Sequence, residues 1–144
     1  ETFAECSPLL VNAADRKYEI TSEYQIGEKT KAGLCLYYNE QAHMRIQVDN
    51  EKYTVYIQDK AKISVPALPG NKGHLRILND LNEVSFYYSH NGKDWKKVER
   101  SLDATGYNHN VFAEFLSLRA GIFAYGNGKA SFDNFQYNIL DEPK

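Results

Sequence analysis

Apolar side chains recur at every second position along most of this chain, a spacing that lines one face of an extended strand and no single face of a helix. Within Tyr18 to Ile26, the residues Tyr18, Ile20, Tyr24 and Ile26 share a face, while Glu19, Thr21 and Glu23 take the other. From His43 to Asp49 the pattern sharpens, with Met44, Ile46 and Val48 inward and Arg45, Gln47 and Asp49 outward. Lys52 to Asp59 repeats it, setting Tyr53, Val55 and Ile57 against Thr54, Tyr56 and Gln58. The polar triplet Asp49-Asn50-Glu51 between these runs predicts a hairpin.

The remaining segments read the same way. Ala32 to Tyr38 is almost continuously apolar, as expected of a central strand covered on both faces. His74 to Asn79 and Val84 to Ser89 form a further pair across the polar stretch Asp80 to Glu83. Asn91-Gly92 then predicts a type I′ turn, because both central residues of that turn need positive φ. Phe115 to Tyr125 is apolar apart from Arg119 and Gly121, Gly126-Asn127-Gly128 is a turn, and Ala130 to Leu140 returns as a last strand carrying Phe132, Phe135, Tyr137 and Ile139. Pro66, Pro69 and Gly70-Asn71-Lys72-Gly73 predict a loop, and Leu9 to Lys17 and Asp94 to Arg100 stay ambiguous. About ten short strands with closely spaced turns predict an all-β, two-sheet antiparallel sandwich of the jelly-roll kind. A chain of 144 residues suits one core, so a single domain over 1–144 is expected.

Composition excludes several functions. Seventeen Lys and Arg against nineteen Asp and Glu leave a net charge of −2, with no basic run to neutralise phosphates, so nucleic acid is not an expected partner. No apolar stretch approaches the roughly 20 residues that cross a bilayer as a helix, so no membrane partner is expected either. Glu1 to Cys6 lacks the basic head and apolar middle of a signal peptide, and the chain is expected to start within a mature or trimmed protein. Two cysteines are too few for a disulfide framework; Cys35, in its apolar run, reads as a buried thiol, and a Cys6–Cys35 bridge stays open.

Catalytic constellations are missing as well. A glycosidase needs two carboxylates roughly 5–10 Å apart, and Glu19 with Glu23, the nearest approach, sit on a solvent face with Thr21 between them. No Gly-x-Ser-x-Gly elbow occurs, and His43, His74, His90 and His109 are scattered over separate turns and strand ends. No cofactor is called for. The one ion for which the sequence leaves room is a structural calcium on Asp133, with Asn134 beside it; the plainer reading of that pair is a turn or strand-edge feature.

Eleven Tyr and seven Phe supply flat rings, many with a polar tip, that suit sugars and interfaces alike. The segment Gly106-Tyr107-Asn108-His109-Asn110-Val111-Phe112 concentrates planar and hydrogen-bonding side chains in one loop. It reads either as a sugar-binding surface, through Tyr107, Asn108, His109, Asn110 and Phe112, or as a loop tethered by its own Asn side chains.

The runs Ala32 to Glu40, Val84 to Trp95, Tyr107 to Phe112, Phe115 to Arg119 and Phe132 to Tyr137 resemble the C-terminal concanavalin A-like domain of glycoside hydrolase family 43 β-xylosidases, and the likeness extends from about Ser7 to Leu140. The pairing of Asn108-His109-Asn110-Val111-Phe112 with Phe115-Leu116-Ser117-Leu118-Arg119 is its most particular part; Asn91 stands where the hairpin usually has Asp. The resemblance implies a concanavalin A-like jelly roll, either a domain cut from a larger enzyme, packed beside a five-bladed catalytic propeller that holds the acid and base, or a stand-alone relative. It implies that Phe112, with Asn108, His109 and Asn110 around it, reaches the mouth of that propeller's active site. Xylo-oligosaccharide or arabinoxylan is then the expected carbohydrate, and a family 43 propeller in the same chain the expected partner. A bacterial periplasmic or extracellular setting suits such a substrate better than the cytoplasm, although cytoplasmic xylosidases exist in the family.

Two functions follow. The first is a non-catalytic accessory domain that packs on the propeller and helps shape its substrate pocket. The alternative is an independent carbohydrate-binding module for xylan or a related plant polysaccharide, with Tyr37, Tyr56 and Tyr87 on an exposed concave sheet face. A catalytic sandwich would need an acidic cluster that the sequence lacks.

Overall fold

Strand pairing organises every described element of the computed structural model, which describes residues 8–12, 17–39, 42–58, 60–80, 83–98 and 119–140. The strands are β1 (Leu9–Asn12), β2 (Lys17–Ile26), β3 (Thr30–Asn39), β4 (Ala42–Val48), β5 (Lys52–Ile57), β6 (Lys60–Pro66), β7 (Lys72–Asp80), β8 (Glu83–Ser89), β9 (Lys96–Lys97), β10 (Arg119–Gly126) and β11 (Ala130–Ile139). They form a six-stranded sheet in the order β1-β10-β3-β4-β5-β6 and a five-stranded sheet in the order β11-β2-β7-β8-β9. All pairings are antiparallel. The fold is the all-β two-sheet sandwich that the alternation predicts.

The core lies between the sheets and uses the alternating residues. Tyr18 and Ile20 from β2 and Leu75 and Ile77 from β7 meet Leu34 and Leu36 from β3 and Met44, Ile46 and Val48 from β4, all buried. Burying a phenol is costly unless its hydroxyl finds a partner, and here the tyrosines satisfy one another. The Tyr24 and Tyr53 hydroxyls lie 2.6 Å apart across the two sheets, and the amide of Asn79 donates to the Tyr18 hydroxyl at 3.3 Å. Tyr53 also stacks on Tyr88, and Tyr18 on Tyr137, with ring centroids 4.5 and 4.9 Å apart.

Three local expectations change. Lys60 to Pro66 forms β6, which pairs with β5 at the edge of its sheet, where a proline costs no ladder hydrogen bond. The expected loop 70–73 is shorter: Gly70 and Asn71 turn with φ of 90° and 56°, and Lys72 and Gly73 already belong to β7. Asn91-Gly92 does not form a type I′ turn, because Gly92 alone of the pair has positive φ, at 78°. The chain instead makes a wider loop between β8 and β9, closed by side chains. The Ser89 hydroxyl accepts from the Asn91 and Gly92 amides at 3.2 and 2.9 Å, and Asn91 Oδ1 accepts from the Lys93 and Asp94 amides at 2.8 and 2.9 Å. An Asx-type closure competes well with the tight hairpin because it satisfies several amides at once. The two ambiguous stretches contribute β1 and β9, and of the run Phe115 to Tyr125 the part 115–118 lies outside the described residues.

Burial pushes the Tyr24 phenol far above its ordinary value of 10.0, reinforced by the hydrogen bond to Tyr53, and burial raises Tyr53 as well. An acid whose pKa is higher folded than unfolded holds its proton in the native state while the unfolded chain releases it. Its stabilising contribution is complete below the unfolded value and is lost as pH rises beyond it. The fold should therefore weaken above about pH 10, with phenolate absorbance appearing together with loss of ellipticity. A Tyr24→Phe/Tyr53→Phe variant should unfold at higher pH than the parent. Phenolate signal from these two residues in an intact fold would contradict the assignment.

Candidate functional site

Alternation sends every second side chain of the six-stranded sheet away from the core, and this outer face carries a connected set of polar and aromatic groups. The register aligns Cys35 of β3 with Arg45 of β4 and Gly121 of β10, and Arg45 in turn with Tyr56 of β5. Gly33 stands between Phe123 and Gln47 in the same rows. A Cβ at Gly33 would run into the Ile46 carbonyl oxygen, so glycine lets β3 and β4 close at this point.

Arg45 organises this face. Its guanidinium lies 4.0 Å over the Tyr56 ring and 6.0 Å from that of Phe123. Nε donates to Gln47 Oε1 at 3.2 Å, and a terminal nitrogen donates to the Gln58 carbonyl at 3.1 Å. The Tyr125 hydroxyl donates to the same Gln47 oxygen at 2.7 Å. Arg45 and Gln47 are each only 3% exposed, Phe123 2% and Tyr125 9%. Burial raises the Tyr125 phenol and the Arg45 charge opposes that shift, leaving Tyr125 a proton donor to Gln47. The expectation that Arg45 and Gln47 face water is thus corrected: they leave the core but enter a second buried layer, beside Cys35, Phe123 and Tyr125. Long polar side chains can be buried there because their polar atoms find partners.

At one end of this face the turns enclose a cleft of about 600 Å3, lined by Lys29, Lys31, Asn50, Lys52, Tyr125 and Asn127 among others. Asn50 holds three turns together: Nδ2 donates to the Gly27 carbonyl at 3.1 Å and to Asn71 Oδ1 at 3.2 Å, and Oδ1 accepts from the Lys29 amide at 2.9 Å. Asp49 Oδ1 caps the β4–β5 turn, accepting from the Glu51 and Lys52 amides at 2.7 and 2.9 Å. The cleft offers donors, amides and the Tyr125 ring on a braced rim. Its chemistry is that of contact with a polar group; Asp49, one of its two carboxylates with Glu51, already serves the turn.

Tyr107, Asn108, His109, Asn110 and Phe112 lie outside the described residues, as does Cys6, and with it the open question of a Cys6–Cys35 bridge. Tyr37 and Tyr56 do share the outer face of the six-stranded sheet, but Tyr87 belongs to the other sheet, where it packs 4.9 Å from the Arg76 guanidinium. The single platform of three tyrosines is therefore corrected: Tyr37 lies near His43, Tyr56 lies beneath Arg45, and Tyr87 stands on the far side of the sandwich.

Asp133 is exposed on β11, in register with Glu23. Calcium takes 6–8 oxygen ligands. Asn134 turns its amide nitrogen to Glu23 Oε2 at 3.1 Å, and no group of three His, Cys, Asp or Glu fit to hold a metal occurs among the described residues. Arg45, Gln47 and Tyr125 escaped sequence reading, although the apolar run Ala32 to Tyr38, expected to be covered on both faces, hinted that the outer side of its sheet is buried too.

A family model described as Beta xylosidase C-terminal Concanavalin A-like domain matches residues 17–138. Among solved structures, the chain is similar to the GH43 BlXynB protein from Bacillus licheniformis, with a TM-score of 0.76 and 20% identity over 93% of this chain and 30% of that one. A xylan beta-1,4-xylosidase from Bacillus halodurans C-125 gives 0.74 and 15% over 96% and 31%. A functionally unknown protein from Saccharomyces cerevisiae gives 0.67 and 13% over 93% and 75%. At such identities the likeness is one of fold, and the chain spans about 30% of the length of the two bacterial proteins. No curated protein matches the sequence.

Replacing Arg45 with Ala strips the guanidinium from Gln47, the Gln58 carbonyl and the Tyr56 ring. The expected cost is about 2–3 kcal/mol, the scale of buried hydrogen bonds to a charged group, read as a lower urea midpoint. Arg45→Lys should recover little, since an ammonium lacks the planar fork that meets both acceptors.

Proposed function

Because the chain belongs to the beta xylosidase C-terminal concanavalin A-like domain family, we propose that it is the non-catalytic accessory domain of a xylan-degrading glycoside hydrolase of β-xylosidase or α-arabinofuranosidase type. In this reading it is one domain of a longer bacterial polypeptide, packs on a family 43 catalytic propeller and helps shape that propeller's substrate pocket. Phe112 and its neighbours Tyr107, Asn108, His109 and Asn110 supply the contact with xylo-oligosaccharide or arabinoxylan.

The observation that carries this reading is the closure of the outer sheet face. On this face Phe123 and Tyr125 are buried and Tyr56 is covered by Arg45, so none of these three rings is left open for a sugar to stack on. The acids are occupied as well. Glu19 pairs with Arg76 at 2.7 Å and accepts from Asn138 at 3.1 Å, and Glu23 accepts from Asn134. Carboxylates engaged in this way brace β2 against β7 and β11, a structural use that supports an accessory role over a hydrolytic one.

The test is kinetic. In a polypeptide joining this domain to its family 43 propeller, Phe112→Ala should lower kcat/KM on xylobiose by roughly 10- to 100-fold, the scale of a misplaced substrate, with the circular dichroism unchanged. An unaltered kcat/KM would remove the domain from the pocket.

A further inference from the structure

The five-stranded sheet has an outer face of its own, and it is built differently from the sealed face opposite. Two hollows of about 270 and 230 Å3 adjoin there and share Glu23 and His74. The first continues past Lys72, His90 and Asp133, and the second past Lys93, Trp95 and Gln136. Together they line a shallow groove across β11, β2 and β7 to the β8–β9 loop.

We propose that this groove is a binding site for a neutral polysaccharide chain, with the Trp95 indole as its stacking surface. The choice of a sugar rests on the reading of the domain as part of a glycoside hydrolase; the existence and shape of the groove do not. Its lining mixes acceptors (Glu23, Asp133 and the Gln136 carbonyl) with donors (Lys72, Lys93 and the Gln136 amide). An anion would meet the carboxylates and a cation the lysines, so neither sign of charge is served. A polyhydroxylated neutral chain uses both kinds of partner, and a half-buried indole adds a flat apolar face.

Both rims are fixed before any ligand arrives. Trp95 lies 5.8 Å from the Arg76 guanidinium, which also packs on Tyr87 and is anchored by Glu19. The loop before Trp95 is closed by Ser89 and by Asn91, whose Nδ2 also donates to Asp94 Oδ2 at 2.8 Å. Gly92 rests against the His74 ring, where an added Cβ would come within 3.1 Å of Nδ1. On the other rim a β-bulge between Asp133 and Gln136 puts Asn134 at φ 54°, its amide bonded to Glu23. A groove whose walls are already ordered loses less entropy on binding.

Isothermal titration of the 144-residue chain with soluble arabinoxylan and xylohexaose tests this. Saturable binding with Kd on the order of millimolar or tighter is expected, weakened about tenfold or more in Trp95→Ala. Because Trp95→Ala can disturb the loop, Gln136→Ala on the far rim is measured alongside and should weaken binding too, while Tyr37→Ala on the other sheet should not. Absence of binding by the parent chain, or binding unchanged in both Trp95→Ala and Gln136→Ala, would overturn the proposal. Phe112→Ala separates the two readings: retained affinity with unchanged hydrolysis would leave the groove standing and remove the pocket role.

Discussion

The central strands of the six-stranded sheet have side chains buried on both faces, and a strand in that position can carry polar atoms only where partners are already waiting. On one side Leu34, Leu36, Met44 and Ile46 meet the opposite sheet; on the other Cys35, Arg45, Gln47, Phe123 and Tyr125 are equally buried. Arg45 meets this demand by spending its hydrogen bonds on Gln47 and the Gln58 carbonyl and its flat face on Tyr56. The glycine at 33 belongs to the same constraint, since the strands cannot close over a side chain there. Once this layer is in place, the face is a sealed surface, and the polar cleft is confined to the turns at its end.

The five-stranded sheet follows the simpler rule of one buried and one wet face. Its outer side is held by Glu19, Arg76, Tyr87 and Trp95 in a chain of ion pair and ring contacts, and by Asn side chains from β11 that reach the β2 carboxylates. The partly buried Arg76–Glu19 pair orders side chains around a groove. The sandwich thus presents a closed face on one sheet and a polar, structured one on the other.

Much of this was legible in the sequence. The period of two placed Tyr18, Ile20, Tyr24 and Ile26 in the core, and the Asp49-Asn50-Glu51 hairpin forms as its spacing predicts. What could not be read is whether an outward position stays wet. Arg45 and Gln47 carry the right polarity for solvent, and their burial depends on neighbours brought beside them by the fold, among them Tyr56, Gln58 and Tyr125. The Asn91-Gly92 turn failed for a related reason: Ser89 and Asn91 side chains outcompete a purely backbone solution, and pair preferences do not register that competition. The three tyrosines Tyr37, Tyr56 and Tyr87 all leave the core, but strand order separates them onto two sheets, and strand order is not contained in the alternation.

The sealed face of the six-stranded sheet, with its aromatic rings buried, suits contact with another folded unit better than a sugar platform. Sedimentation velocity of this chain mixed with its separately produced family 43 catalytic propeller tests that most directly. A one-to-one complex sedimenting faster than either component is expected; two species that sediment independently at all concentrations would show that the sealed face is not a docking surface for the propeller.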